Sequence, residues 1–360
     1  MSKKKSSGGH DRRPVSRKTA LLIALAALWL LVMLVLLVGR LQRKDQGKPY
    51  EKQMFAMDTV MTLTAYGPNG QAAVDEAARE LQRLDALWSV GDPQSEISAL
   101  NARGSGAVSP DTAELLGRAI DLSRETDGLF DATIYPVVEL WGFPTDEPHV
   151  PDPAAVDALL PLVDSAQVTL AGEQVALSPG QKLDLGGIAK GFASARVMEV
   201  FRENGVSAGM VSLGGNIQTL GTKIDGSRWN IGIRDPEGDA GSYLGVVEVA
   251  DRAVVTSGGY ERFFEENGQR YIHILDPRTG YPAQSDLQSA TVISEDGVLA
   301  DALSTALYIM GSDQATAFWS QRTDQFDMIL LTQSGQLLVT PGVADHFQTQ
   351  RQVRVLSANG

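Results

Sequence analysis

The stretch Leu183-Asp184-Leu185-Gly186-Gly187-Ile188-Ala189-Lys190-Gly191-Phe192 constrains the fold more than any other in the chain. An apolar alternation that reads as a strand meets paired glycines, and a helical pattern then runs from Ile188 to about Asn204. Glycines at such a turn let backbone N–H groups come close to a ligand. A helix N-terminus favours negative charge, and Lys190 adds a cation, so the turn suits a phosphate. The same residues would equally make a packing turn with a solvated lysine, and the turn alone does not choose.

The N-terminus is of a different kind. Thr19 to Gly39 is almost wholly apolar and uncharged, long enough to cross a hydrocarbon core as a helix, which takes roughly 20 residues. Lys3, Lys4, Lys5, Arg12, Arg13, Arg17 and Lys18 precede it, which by the positive-inside rule holds that end in the cytoplasm. No small-x-small cleavage site closes the run. The expectation is a basic cytoplasmic tail (1–18), a single-pass anchor in the cell membrane (19–39), a linker (40–52), an extracytoplasmic catalytic domain (53–345) and a short C-terminal tail (346–360). Residues 1–48 hold eleven Lys/Arg against two Asp/Glu; with the whole chain at −13, the remainder sits at −22. A body this acidic does not track nucleic acid. With no cysteine, disulfides, thiolate metal sites and a cysteine nucleophile are excluded.

Along the body, Phe55 to Tyr66 reads as one alternating strand, and Gln71 to Trp88 as an amphipathic helix. Ser109-Pro110-Asp111 opens a helix to about Thr126. Val168–Leu177 and Lys182–Leu185 read as a strand pair around Ser178-Pro179-Gly180. Further strands are expected at Met210–Leu220, Trp229–Arg234, Tyr243–Val254 and Leu287–Ser294. Tyr260–Glu265 and Arg270–Leu275 read as a hairpin across Glu266-Asn267-Gly268. Two helices, Val298–Met310 and Ser312–Gln321, precede a last hairpin around Ser334-Gly335. Strands and helices do not alternate strictly, so the fold class is α+β (mixed α/β), a single domain.

His273 stands in a strand directly before Asp276-Pro277-Arg278-Thr279-Gly280. Asp301 and Thr305, four residues apart, share one helix face, and their oxygens suit Mg²⁺ or, as simply, a helix start. Gly214-Gly215-Asn216 and Thr256-Ser257-Gly258-Gly259-Tyr260 are small-residue turns that would admit a flat ligand.

The order of these motifs is more specific than any one of them. Met57-Asp58-Thr59, Ser95-Glu96-Ile97-Ser98 with Asn101, Gly128-Leu129-Phe130-Asp131, the opening glycine stretch, Ser212 to Asn216, Thr256 to Tyr260, His273 to Gly280, and Ala300-Asp301 with Thr305 together resemble the ApbE family, the FAD:protein FMN transferases. The resemblance runs from about Phe55 to Val339. It implies a Mg²⁺-dependent enzyme that splits FAD, places FMN on a Ser or Thr of an exported redox protein carrying a Ser/Thr-Gly-Ala-Ser/Thr-like motif, and releases AMP. It implies metal ligation by the Ala189 carbonyl, Asp301 and Thr305. It puts FAD against Met57, Asn101, Leu129, Phe130, Asp131, Gly186, Lys190, Phe192 and Leu275. His273 would be the base, or alternatively a transient flavin carrier, with Asp301 the second catalytic residue. Val90-Gly91-Asp92 stands where many members carry an aromatic residue; Trp88 would substitute, though core packing suits it better. A Mg²⁺-dependent FAD pyrophosphatase and a flavin-binding module without chemistry are the competing readings.

Overall fold

The computed structural model describes residues 28–33, 47–145, 147–239 and 241–358. The chain divides into two units, Met1–Lys48 and Pro49–Gly360. Of the expected anchor only residues 28–33 are described, as helix with exposed apolar side chains; the rest of that expectation lies outside the described residues. Among the described residues no helix is long and apolar enough to cross a membrane.

The second unit is built on a nine-stranded sheet: β1 (Pro49–Ala56), β2 (Thr59–Tyr66), β3 (Gly209–Leu213), β4 (Asn216–Leu220), β5 (Ala253–Gly258), β6 (Leu287–Ser294), β7 (Asp327–Thr332), β8 (Leu337–Val339) and β9 (Val353–Val355). Spatial order follows chain order, and only β8–β9 is parallel. The central strands are buried on both faces, so they read as apolar runs and not as alternation. In β7, Met328 and Leu330 join the core beneath the helices, while Ile329 and Leu331 join a second core on the other face. A three-stranded sheet of Trp229–Arg234, Tyr243–Val249 and Phe347–Gln348 closes that second face.

The longer helices are α1 (Gly70–Trp88), α2 (Glu96–Arg103), α3 (Pro110–Glu125), α4 (Ala189–Glu203) and α5 (Gly297–Ser320). α1 buries Val74, Ala77, Leu81, Leu84 and Trp88, the stripe its spacing predicts. Glu96 fixes the start of α3: its carboxylate accepts from the Ser109 N–H and hydroxyl and, at 2.6 Å, from the Thr112 hydroxyl. α5 breaks at Gly311 (φ 76°), as the two separate helical patterns require, and Asp286 accepts from the N–H and hydroxyl of Ser312 at the break.

Several expectations from the sequence need correction. Met210 to Leu220, read as one strand, is the β3–β4 hairpin turning at Gly214-Gly215, and Tyr243 to Val254 divides between Tyr243–Val249 in the three-stranded sheet and β5 in the nine-stranded one. Pro49 to Lys52, taken as linker, forms the first half of β1, and Phe55 to Tyr66 is a hairpin reversing at Met57-Asp58 rather than one strand. The region 346–360, taken as tail, supplies Phe347–Gln348 and β9, and buries Leu356. The hairpin expected around Ser178 turns instead at Gly172-Glu173, between Thr169–Ala171 and Gln174–Ala176. Leu183 to Leu185 belongs to no sheet. Its backbone is satisfied by the Asn101 side chain, which donates to the Leu183 carbonyl (2.8 Å) and accepts the Leu183 N–H (2.7 Å), and by the Asp184 N–H donating to Ala132 (2.8 Å).

Candidate active site

The glycine turn is a wall of a cavity of about 750 Å³. Asp184 shapes the turn by accepting the Gly186 N–H at 2.8 Å, and Lys190 donates to the Gly186 carbonyl at 3.0 Å. α4 then starts without a side-chain cap from its own N-cap residue, Ile188. A carboxylate from α5 supplies one instead: Asp301 accepts the Gly191 N–H at 2.8 Å. The contact depends on two glycines. A Cβ on Gly191 would lie 2.2 Å from the Gly297 carbonyl oxygen and 2.8 Å from the Asp301 Cβ. A Cβ on Gly297 would lie 2.9 Å from the Gly191 oxygen. The helix N-terminus that the sequence assigned to phosphate is therefore occupied in part by Asp301, whose carboxylate answers the orphan N–H groups that a helix start leaves.

Asp301 is 4 % exposed. Burial pushes its carboxyl above the ordinary carboxylate range, against the pull of the Lys190 charge and the Gly191 N–H. Asn216 is 1 % exposed, and neither its Oδ1 nor its Nδ2 reaches hydrogen-bond geometry with any partner. It lines the same cavity as Asp301 and Thr305. The Thr305 hydroxyl sits 3.3 Å from that of Ser257, which also meets Ser304 at 2.8 Å. A buried carboxylate, a hydroxyl and an unsatisfied amide oxygen are hard oxygen donors facing one space. Among the described residues no cluster of three or more His, Cys, Asp or Glu could hold a metal by itself. This set suits an ion that takes few protein carboxylates and completes its shell with phosphate and water, as Mg²⁺ does.

His273 lines the same cavity. Its Nδ1 lies 3.1 Å from the Arg262 carbonyl, and its N–H donates to the same oxygen at 3.0 Å. With that carbonyl taking the Nδ1 proton, Nε2 is the basic nitrogen. Burial, with the charges of Arg262 and Lys190, pushes the imidazole down to about 4, so it is neutral at pH 7. Lys190, Arg234 and Arg262 put three cations on the cavity wall. Arg234 stacks over Tyr260 at 5.0 Å, and Glu261 beside it is pushed up by burial. Leu129, Phe130, Ile134, Val138 and Leu275 make an apolar flank. His273 to Gly280 is locked at its far end, where Arg278 grips the Asp276 carboxylate through two contacts of 3.0 and 2.7 Å.

Met57, Leu129, Phe130, Asp131, Gly186, Lys190, His273, Leu275, Asp301 and Thr305 thus come together around one cavity. Three expected site residues do not. Asn101 clasps Leu183 and holds the turn from behind. Phe192 is buried in the core, edge-on to Trp88 at 5.4 Å; Trp88 itself donates to Thr112 and packs as core. Ala189 is buried at the first turn of α4 and does not line the cavity. Asp131 touches the cavity, but its carboxylate is consumed by Ser123, Thr133 and Ser165. Val90 lines the cavity where an aromatic residue was missed. Nothing in the sequence signals the wall formed by Ile231 to Arg234, a regular strand without turn chemistry. Gly214, in a small-residue turn that the sequence marks, does line the cavity: its φ is 58°, and a Cβ there would meet Thr59 Oγ1 at 2.2 Å.

The ApbE family model matches residues 57–330. The chain is 34% identical over 351 residues to an FAD:protein FMN transferase of Treponema pallidum (strain Nichols), covering 91% of this chain and 95% of that one. It is 33% identical over 302 residues to one from Klebsiella pneumoniae (strain 342), covering 82% and 93%. Among solved structures, the ApbE protein of Thermotoga maritima superposes with a TM-score of 0.76 at 31% identity, over 81% of this chain and 96% of that one. The flavin transferase ApbE of Vibrio cholerae does so at 0.72 and 29%, over 84% and 96%.

Proposed function

The chain belongs to the ApbE family and is an enzyme of the FAD:protein FMN transferase type, and from that premise we propose that it moves FMN from FAD to a Ser or Thr hydroxyl of a protein, using Mg²⁺ and releasing AMP. The observation that carries this reading is Asp301, a buried carboxylate turned to the cavity between the glycine turn and the unsatisfied Asn216. Asp301, Thr305 and Asn216 would hold the ion. Mg²⁺ bound there would neutralise pyrophosphate charge and ease the departure of AMP.

The chain's own residues do the rest. Lys190, Arg234 and Arg262 offset the charge of a dinucleotide pyrophosphate in a half-enclosed space, where each counts for more than in water. The Leu129, Phe130 and Leu275 flank keeps water off the reacting phosphorus. His273, neutral and oriented through Nδ1, takes the acceptor hydroxyl's proton at Nε2. The hydroxyl oxygen bonds to the phosphorus on the ribityl side, the P–O bond to AMP breaks, and AMP leaves with the bridging oxygen.

The test incubates the enzyme with FAD, Mg²⁺ and a redox domain carrying a Ser/Thr-Gly-Ala-Ser/Thr motif. The expected result is in-gel flavin fluorescence on the domain with one AMP per label. Free FMN beside an unlabelled domain would make the enzyme a pyrophosphatase and sink the reading. Asp301→Asn keeps an acceptor for the Gly191 N–H but removes the charge. It should lower transfer by more than about a hundredfold and abolish the rise in Tm that Mg²⁺ gives the wild type. A variant still stabilised by Mg²⁺ would remove Asp301 from the metal site.

A further inference from the structure

We propose that the acceptor protein docks on exposed apolar side chains at the cavity rim, Phe55 and Val60 at the tip of the β1–β2 hairpin and Phe263 at the base of its neighbour. This rests on the transferase reading above. Phe55 and Val60 are 69 % and 61 % exposed and stand directly opposite each other. Cross-strand pairs on a solvated face are ordinarily polar; this pair is not. The face of β2 that carries Val60 is covered at Tyr66, whose ring meets Trp229 at 6.0 Å, and is bare at the tip. The same tip enters the cavity: Met57, Asp58 and Thr59, the residues between Phe55 and Val60 after Ala56, all line it.

The second hairpin joins the first at this rim. Arg262 lines the cavity and donates to the Asp58 carbonyl at 3.4 Å. The next residue, Phe263, is 42 % exposed beneath the Arg270 guanidinium, 4.1 Å from its ring centre. An exposed apolar surface thus adjoins the segments that carry His273 and the turn at Met57.

The reaction specifies who covers it. A hydroxyl that belongs to a folded protein reaches the cavity only if that protein's body rests on the rim, and the rim offers apolar surface. Charge narrows the partner further. Residues 49–360 sit at −22, and the exposed face of β1 beyond Phe55 carries the neutral Gln53 and then the Glu51 carboxylate. The partner that fits has an apolar patch next to its acceptor Ser or Thr, with basic side chains on the side that meets β1, where the acidic body steers them, and none against Arg262 and Arg270 beside Phe263.

Phe55→Glu and Val60→Glu test this, with Val355→Glu, an exposed apolar residue on the far edge of the sheet (52 %), as control. Two acceptors are compared: the redox domain, and a short peptide holding only its acceptor motif. The expected result for Phe55→Glu and Val60→Glu is a KM for the domain raised about tenfold, with kcat, FAD affinity and peptide labelling at wild-type values; Val355→Glu changes nothing. Wild-type kinetics on the domain in both variants would overturn the docking surface while leaving the transferase intact. A loss of binding to anionic lipid vesicles, with unchanged domain labelling, would overturn it in favour of a membrane contact. No labelling of the domain by the wild type would mean the transferase reading, and the surface with it, is wrong.

Discussion

Two hairpins border the cavity, and they reverse with opposite chemistry. The hairpin of Phe263–Glu266 and Gln269–Ile272 turns over Asn267-Gly268, with φ of 53° and 78°. β1–β2 turns over Met57-Asp58, with φ of 48° and 56°. A two-residue turn of this kind needs positive φ at both positions, which Asn-Gly adopts readily and Met-Asp does not. The easy turn is not part of the cavity lining, and the strained turn is. Strain is kept where the side chains are in use, and neighbours hold it in place: Asp85 accepts the Met57 N–H at 3.0 Å, and Arg262 donates to the Asp58 carbonyl. The second hairpin puts its working residue at its base instead, where His273 needs no unusual backbone.

Breaking the second hairpin's contribution should have the largest effect. His273→Gln should lower transfer by about 10²–10⁴-fold. The imidazole is held near 4 in the folded protein against an ordinary value of 6.5. The acid limb of kcat/KM at saturating Mg²⁺ should therefore lie near 4, and should vanish in the variant. Stability carries the matching sign. Between pH 6.5 and 4 the unfolded chain takes up a proton that the folded His273 refuses, so this contribution is present above 6.5 and lost as pH falls toward 4. Neighbouring carboxyls raised by burial, Asp184, Glu261 and Asp301, act in the opposite sense. The difference between wild type and His273→Gln isolates the histidine; equal pH profiles would remove the assigned shift.

The first hairpin is broken more mildly through its support. Asp85→Ala leaves the Met57 N–H without its acceptor and should cost about 1–3 kcal/mol in urea unfolding, with weaker FAD binding. Asp85→Asn keeps an acceptor oxygen and should recover most of both. Burial already pushes the Asp85 carboxyl up, so losing its charge costs little. If Asp85→Asn is as damaging as Asp85→Ala, the aspartate acts through charge and not by holding the turn.

The contrast between the hairpins also marks what the sequence makes legible. Asn267-Gly268 announces its turn by residue type, and Gly311 announces the break in α5. Met57-Asp58 announces nothing, because a turn held by residues distant in sequence leaves no local trace, and the alternation runs through it as though one strand continued. Leu183 to Leu185 misled in the complementary way. Its apolar pattern was real, but a side chain, Asn101, satisfies its backbone in place of a strand. The motif residues were legible as a set and less so in their tasks. Glu96, Asn101 and Asp131 spend their polar atoms on the chain, while Asp301, Lys190 and His273 each make a bond to the backbone and also line the cavity. Only the folded chain separates the two groups, and most of those partners lie tens of residues away.

The smallest effect tests the strain itself. Glycine takes positive φ freely but loses more chain entropy on folding. At Asp58 the relief should outweigh that loss, so Asp58→Gly should stabilise the protein by about 1 kcal/mol. At Asn267 little strain exists to relieve, so Asn267→Gly should be neutral or slightly destabilising. Urea midpoints at constant m-value read both changes directly. The contrast in sign matters more than either magnitude. Equal shifts at the two turns would mean that Asp85 and Arg262 already relieve the Met57-Asp58 backbone, and that the cavity wall is built without stored strain.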